Sequence, residues 1–210
     1  MLQRIPKLVS KSKHTVSELI QQAVRMLQLG EIVAFPTDTV YGLGADPFNS
    51  IAVHKLFNCK GRSSNKPIPV LVSSIEQATQ VVQETPPLFF QLAKQHWPGA
   101  LTIILPVKPN LPKVVTAGQT TIGIRIPANR LACQLIQHFG SPIATTSANL
   151  SDHPPATTAL QVSQQLGNNL LVLDGGPTKT QVSSTVIDLT TDSPQIRRQG
   201  AVTLSLDQIN

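Results

Sequence analysis

The stretch FPTDTVYGLG occupies residues 35–44 and continues an apolar run that begins at Ile32. The run predicts a short buried strand, Ile32–Phe35, which ends at Pro36 because proline has no N–H to donate. The chain beyond Pro36 is predicted to form a loop whose polar side chains are Thr37, Asp38, Thr39 and Tyr41. Gly42 and Gly44 would free its backbone for close approach of a ligand. These side chains could bind a polar ligand, or could bond their own backbone in an ordinary turn.

The rest of the chain mixes helical and strand patterns without the regular alternation of a doubly wound fold. Thr15 and Glu18 have the spacing of a capping box, and Gly30 would end the helix that they begin. Further helices are predicted at Asn49 to about Asn58, Ile75–Val82, Leu88–His96, Asn129–Phe139 and Thr158–Leu166. Further strands are predicted at Ile68–Val72, Ala100–Pro106, Thr121–Ile126, Pro142–Thr145, Leu170–Leu173, Thr185–Leu189 and Gln195–Arg198. The pattern predicts one α/β domain with a twisted mixed sheet over residues 15–205, preceded by an N-terminal extension at 1–14.

Composition limits the function classes. The chain has 210 residues, is 40% hydrophobic and carries a formal charge of +6, which favours anionic partners. Cys59 and Cys133 form no CxxC pair and no histidine lies at metal-ligand spacing from them, so no metal site is expected. No apolar run is long enough to span a membrane, and the basic N-terminus lacks the apolar core of a signal peptide. A cytoplasmic location is therefore expected.

A cationic segment, KGRSSNKP, occupies residues 60–67. In an extended segment Lys60 and Arg62 would share a face and could bind one anion, with Lys66 close by. A solvated basic loop is the alternative. The segment lacks the GxxxxGK[ST] spacing of a Walker A loop.

Arg125 lies within the apolar segment TIGIRIP, residues 121–127, with Thr121 and Gly123 on its own face of the predicted strand. A buried charge requires a partner. That partner could be a ligand carboxylate or phosphate, or an Asp or Glu of the protein itself.

Two further segments are rich in small polar groups. PIATTSANLS, residues 142–151, contributes Thr145, Thr146, Ser147 and Asn149, and SSTVIDL, residues 183–189, begins with Ser183 and Ser184. Neither contains a GxSxG elbow, which argues against a nucleophilic serine. Arg197 and Arg198 follow, and since adjacent strand residues point to opposite faces, at most one of them enters a given cleft.

Taken together, these segments describe a cleft of Lys, Arg, Ser and Thr side chains with no paired carboxylates and no catalytic histidine. That combination suits binding and electrostatic alignment of an anionic nucleotide. In this order the segments resemble the hallmarks of the YrdC-like family, over roughly residues 15–205. Because the sequence ends at Asn210, the resemblance is to the short, single-domain form of that family.

The resemblance implies an α/β fold around a large basic cavity and the activity of a threonylcarbamoyl-AMP synthase. This nucleotidyltransferase combines L-threonine, bicarbonate and ATP, releasing pyrophosphate. Its product serves N6-threonylcarbamoyladenosine modification of tRNA, which the enzyme reaches through partner proteins. Magnesium is expected with the triphosphate, without a protein metal site.

The resemblance also implies residue roles. Lys60 and Arg62 would be catalytic. The residues implied for L-threonine are Thr39, Arg125, Thr145 and Ser184. Those implied for ATP are Arg62, Lys66, Thr121, Ser147, Asn149 and Arg198.

Two other functions stay open from the sequence. One is a non-catalytic module that binds double-stranded RNA or tRNA directly through its basic concavity. The aromatic content of 4% argues against single-strand recognition by base stacking. The other is a carbamoyl-adenylate activity that uses carbamoyl phosphate.

Overall fold

A computed structural model describes residues 15–61 and 63–204 of the chain. Its helices are α1 (Val16–Gln28), α2 (Ser50–Lys60), α3 (Ile75–Ala78), α4 (Pro87–His96), α5 (Lys113–Thr116), α6 (Arg130–Phe139) and α7 (Ala159–Leu166). Its strands are β1 (Val33–Pro36), β2 (Tyr41–Ala45), β3 (Val70–Leu71), β4 (Leu101–Pro106), β5 (Thr121–Arg125), β6 (Ile143–Ser147), β7 (Leu171–Val172), β8 (Thr185–Asp188) and β9 (Gln195–Arg198). The expected 1–14 extension and the end of the domain at residue 205 lie outside the described residues.

The nine strands form one mixed sheet in the order β7-β1-β2-β6-β3-β5-β4-β8-β9. The pairs β1–β7, β3–β5 and β4–β8 are parallel, and the other neighbours are antiparallel. The predicted α/β class with a mixed sheet is confirmed.

Helix starts follow the predicted capping chemistry. The Thr15 hydroxyl accepts from the Glu18 amide at 3.3 Å, and the Glu18 carboxylate accepts from the Thr15 amide at 2.7 Å. Asn49 and Asn129 cap α2 and α6 in the same manner, each accepting from two backbone N–H groups of the first turn. These caps satisfy donors that a helix start otherwise leaves unpaired.

The hairpin of β1 and β2 corrects the prediction of a loop after Pro36. Residues 41–45 are a buried strand, paired antiparallel with β1 and, on the other side, with β6. Glycine is unfavourable in strands, so these residues carry no pattern that predicts a strand. The glycines are needed because a side chain would clash: a Cβ on Gly44 would lie 2.7 Å from both Ile143 and Phe35.

Some other elements are shorter than predicted, and one was not predicted. The strand expected at 68–72 is reduced to β3, and the helix expected at 75–82 to α3, while α5 had no prediction. In each case the neighbouring residues are buried in irregular backbone, as Ile68 and Val81 are. The apolar runs therefore predicted correctly which residues are buried, but the helices and strands predicted from them are longer than those observed.

The core lies on both faces of the sheet. Alternate β1 residues divide between two clusters: Ala34 joins the side packed with α2, while Val33 and Phe35 join the side packed with α1 and α6. Helices α1 and α6 cover β1 at one end of the sheet. Farther along that same face, the central strands border the cavity described next.

Candidate functional site

A cavity of about 350 Å³ lies against the central strands. Its polar lining residues are Thr37, Thr39, Tyr41, Thr102, Arg125, Thr145, Thr146, Ser147, Ser183, Ser184 and Arg198. Gly42 pairs with Ser147, and Gly123 pairs with Ile104, so these lining residues project from one face of the sheet. Among the described residues of this lining there is no Asp or Glu.

Six of the predicted site residues meet in this lining. They come from the β1–β2 turn, β5, β6, the segment before β8, and β9: Thr39, Arg125, Thr145, Ser147, Ser184 and Arg198. They are separated by up to 159 positions in sequence, yet the sheet order brings their strands side by side. The two cations of the lining are Arg125 and Arg198.

Two kinds of partner were predicted for Arg125, a ligand anion or an acidic residue of the protein. The structure shows an acidic residue, Asp38. Its Nη2 lies 2.5 Å from Asp38 Oδ1, and the two side chains are only 7% and 8% exposed. Its Nη1 donates to Thr39 Oγ1 at 3.1 Å and its Nε to the Gly99 carbonyl at 2.8 Å. Burial lowers the pKa of Arg125, and the Asp38 carboxylate offsets part of that effect. These bonds use three of the five guanidinium N–H groups, so a ligand could still accept the other two.

Arg198 also lines the cavity, at the end of β9. Its Nε and Nη2 donate to the Ser184 carbonyl at 3.0 and 2.9 Å, and Nη2 also reaches Ser184 Oγ at 3.2 Å. Burial lowers its pKa, and its charge also lowers the pKa of Arg125, so the two guanidinium groups act on one another. The neighbouring Arg197 instead pairs with Asp188 at 2.9 Å. The prediction that only one of the two arginines enters the cleft is confirmed.

Lys60 does not lie where an extended segment would place it. It is the last residue of α2, and the helix ends at Gly61 in a left-handed conformation with φ of 59°. Its ammonium is buried and donates to the carbonyls of Ser147 and Asn149, the latter at 2.6 Å. Lys60 is not among the residues that line the cavity. Its ammonium instead holds the end of β6 through these two carbonyl groups.

The other predicted ATP residues are not brought into the lining. Lys66 is exposed, and Thr121 is half-buried at the start of β5. The amide of Asn149 donates to the carbonyls of Leu150 and His153, at 2.7 and 2.8 Å. Arg62 lies outside the described residues. Among the described residues of the cationic segment, neither Lys60 nor Lys66 lines the cavity, and the described lining has two cations, Arg125 and Arg198.

Two side-chain contacts at the site were not predicted from the sequence. Asp38 lies inside the FPTDTVYGLG motif, but nothing local shows that its partner is Arg125, 87 positions away. Thr102 interrupts an apolar run, and its hydroxyl lies 2.8 Å from Ser184 Oγ. A polar residue alternating with buried apolar ones in β4 was the available signal.

The described residues contain no group of three or more His, Cys, Asp or Glu that could hold a metal ion. Within the same residues no helix is long and apolar enough to cross a membrane.

The architecture and the cavity define an α/β protein with a polar cavity on one face of a mixed sheet. A sequence model of the Sua5, YciO and YrdC family, described as Telomere recombination, matches residues 25–200. The chain belongs to this family.

Characterised relatives are similar over most of the chain. The threonylcarbamoyl-AMP synthase of Bacillus subtilis is 45% identical over 186 residues, which is 88% of this chain and 54% of the relative. That of Pyrococcus abyssi is 41% identical over 88% of this chain and 55% of the relative. The chain thus spans about half the length of these two relatives. The synthase of Photobacterium profundum is 35% identical, covering 86% of this chain and 98% of the relative.

Solved structures share the fold. Sua5 of P. abyssi complexed with L-threonine superimposes with a TM-score of 0.86 at 38% identity, over 90% of this chain and 56% of that one. YciO of E. coli superimposes with a TM-score of 0.81 at 25% identity, over 92% and 94% of the two chains.

Proposed function

We propose that this chain is a threonylcarbamoyl-AMP synthase, a nucleotidyltransferase that acts on L-threonine, bicarbonate and ATP. The observation that carries the proposal is the cavity: two guanidinium groups and a set of hydroxyls, with no carboxylate in the described lining. Such a lining favours anionic ligands. Support comes from the names of the relatives and from the L-threonine complex of P. abyssi Sua5, which has the same fold.

The proposed reaction has two steps. The threonine amine and bicarbonate form a carbamate with loss of water. A carbamate oxygen then attacks the α-phosphorus of ATP and displaces pyrophosphate, giving threonylcarbamoyl-AMP. Both steps join anions, so their main requirement is charge compensation and alignment rather than a strong base.

We assign each of these lining residues either to L-threonine or to ATP. On the L-threonine side we assign Arg125 to the carboxylate, through the N–H groups that Asp38, Thr39 and Gly99 leave available. Thr39, Thr145 and Ser184 complete this side of the cavity. On the ATP side we assign Arg198 and Ser147, which line the same cavity.

Five further residues keep assignments that rest on the family resemblance. Arg62, Lys66, Thr121 and Asn149 stay assigned to ATP on that basis. Lys60, with Arg62, keeps the catalytic assignment, but its ammonium would have to exchange a carbonyl partner for the substrate. In the observed geometry it holds the backbone of Ser147, and through it the ATP wall. Because the described lining lacks carboxylates, magnesium that accompanies ATP would be held by the phosphates rather than by a protein site.

The proposal extends to the cellular context. The product would pass to tRNA through partner proteins, with the reaction in the cytoplasm. Direct binding of this chain to RNA is not required by the proposal.

The test is pyrophosphate release from ATP by the purified protein, with L-threonine and bicarbonate omitted in turn. The proposal expects release that depends on both, and a threonylcarbamoyl-AMP product by mass spectrometry. Release driven by carbamoyl phosphate without threonine would replace it with the carbamoyl-adenylate activity. Salt-dependent binding of duplex RNA without any pyrophosphate release would overturn it in favour of an RNA-binding module.

A further inference from the structure

The hydroxyls of Thr102 and Ser184 form a pair at the wall of the cavity. Both side chains line the cavity, both residues are about 5–6% exposed, and their oxygens are 2.8 Å apart. Thr102 lies on β4, whereas Ser184 immediately precedes β8, the parallel neighbour of β4. The pair is therefore fixed by the sheet rather than by a flexible loop.

The hydroxyl protons of Thr102 and Ser184 determine which hydrogen bonds this pair can offer a ligand. Each hydroxyl has one proton to donate and two lone pairs. Arg198 Nη2 donates to Ser184 Oγ, so one Ser184 lone pair is occupied by a cation. One of the two hydroxyl protons is used in the bond between Thr102 and Ser184. The other proton has no acceptor among the described residues.

The remaining proton can lie on either of the two hydroxyl groups. If Ser184 donates to Thr102, the Thr102 O–H is left to donate elsewhere. If Thr102 donates to Ser184, both Ser184 lone pairs are filled and its own O–H is left. The first arrangement is favoured because Arg198, donating to Ser184 Oγ, makes that hydroxyl a better donor along the chain. In both cases the pair presents one O–H donor at the cavity wall.

We propose that Thr102 is a substrate-binding residue of this site and that its hydroxyl donates to a carboxylate oxygen of the bound amino acid. The chain of donors runs from Arg198 through Ser184 and Thr102 to the ligand, in a cavity that the guanidinium of Arg125 also lines. The amino-acid class of the ligand rests on the proposed function. The presence of the donor does not, since it follows from the hydrogen bonds of the protein alone.

The Thr102 methyl group has a separate packing role. A Cβ on Gly123 would lie 3.0 Å from Thr102 Cγ2, so this methyl fills the space over a glycine of the neighbouring strand β5. Valine preserves that methyl and removes the hydroxyl, whereas serine does the opposite. The two variants therefore separate hydrogen bonding from packing.

The experiment is isothermal titration of L-threonine, with and without an ATP analogue, into the wild type and the variants Thr102→Val and Thr102→Ser. Thr102→Val should weaken L-threonine binding by about tenfold or more, the usual effect of losing a hydrogen bond to a charged group. Thr102→Ser should bind within about threefold of wild type, and the affinity for the ATP analogue should not change in either. Thr116→Val is the matched control: Thr116 is 3% exposed, its hydroxyl bonds the Lys113 carbonyl, and it lies outside the cavity.

The outcomes distinguish this inference from the proposed function. Equal L-threonine binding by wild type and Thr102→Val would overturn the role of Thr102 and leave the function intact. Loss of binding in Thr102→Ser as well as Thr102→Val would assign the effect to packing and also overturn it. A wild-type protein that binds no L-threonine under either condition would overturn the proposed function itself, and with it the identity of the ligand.

Discussion

Arg125 and Arg198 line the same cavity from β5 and β9, and the fold compensates their charges differently. Arg125 is buried and paired with Asp38 at 2.5 Å. Arg198 is exposed and is held by the carbonyl and hydroxyl of Ser184, with no carboxylate partner in the described part of the chain. The cavity therefore combines one guanidinium whose charge is compensated by a buried carboxylate and one that has no carboxylate partner among the described residues.

The hydrogen bonds around Asp38 show how the framework is built. Its carboxylate also accepts from the Ala128 amide at 3.0 Å, and its carbonyl accepts from the backbone and hydroxyl of Thr180. Asp38, in the β1–β2 turn, therefore links β5, the segment that follows β5, and the segment that precedes β8. Removing its charge should affect stability before it affects binding.

The largest expected effect is that of Asp38→Asn on stability. The substitution leaves Arg125 buried without a counterion, which should lower the free energy of unfolding by about 3–5 kcal/mol. Urea denaturation at pH 7 measures it. The control is Glu31→Gln, which breaks an ion pair with Lys55 whose side chains are 35–38% exposed and should cost less than about 1 kcal/mol. Equal losses in the two variants would contradict the conclusion that Asp38 is the buried counterion on which Arg125 depends.

Arg198→Ala should show the reverse behaviour. Removing the uncompensated cation should lower kcat/KM for pyrophosphate release by about 100-fold, as for loss of a charged donor in a site. Unfolding free energy should change by less than about 1 kcal/mol because the side chain is exposed. Arg197→Ala is the matched control, since Arg197 is adjacent in sequence but pairs with Asp188 away from the cavity. If the Arg197 variant loses as much activity as the Arg198 variant, the assignment of Arg198 fails.

The smallest effect concerns pH and the Asp188–Arg197 pair. Burial acts to raise the pKa of Asp188, but hydrogen bonds from Thr190 and Arg197 outweigh it, so the net direction is downward. A carboxylate with a lowered pKa in the folded state stabilises the protein above its unfolded pKa, near 3.9, and loses that contribution as pH falls through its folded pKa. Asp188→Asn should therefore lower stability modestly at pH 7 and have little effect at the most acidic pH that the fold tolerates.

Urea midpoints of the Asp188→Asn variant and the wild type across this acidic range provide the check. A difference between the two proteins that grew as the pH fell would have the wrong sign and would contradict the assignment.

The sequence predicted more of the framework than of the site. Capping residues such as Thr15 and Asn129 are local signals, and they set helix starts correctly because their partners lie within three residues. The strand β2 was missed because its glycines serve packing against Phe35 and Thr145, contacts that strand propensity does not register.

The site was predicted in part because its residues belong to recognisable motifs. Six of them meet as the resemblance implied, since the sheet order aligns their strands. The prediction of extended backbone at Lys60 was wrong because α2 continues through Cys59 and Lys60 before the left-handed Gly61 ends it. The pairing of Asp38 with Arg125 depends on strands far apart in sequence, and no spacing rule contains that information.

The most direct measurement is a crystal structure with L-threonine and a non-hydrolysable ATP analogue. We expect both ligands to occupy the cavity, with the threonine carboxylate within hydrogen-bond distance of Arg125 and Thr102. We also expect the phosphates to face Arg198, while Asp38 keeps its bond to Arg125. Ligands bound elsewhere, or phosphates held only by the exposed Lys66 segment with Arg198 unengaged, would contradict it.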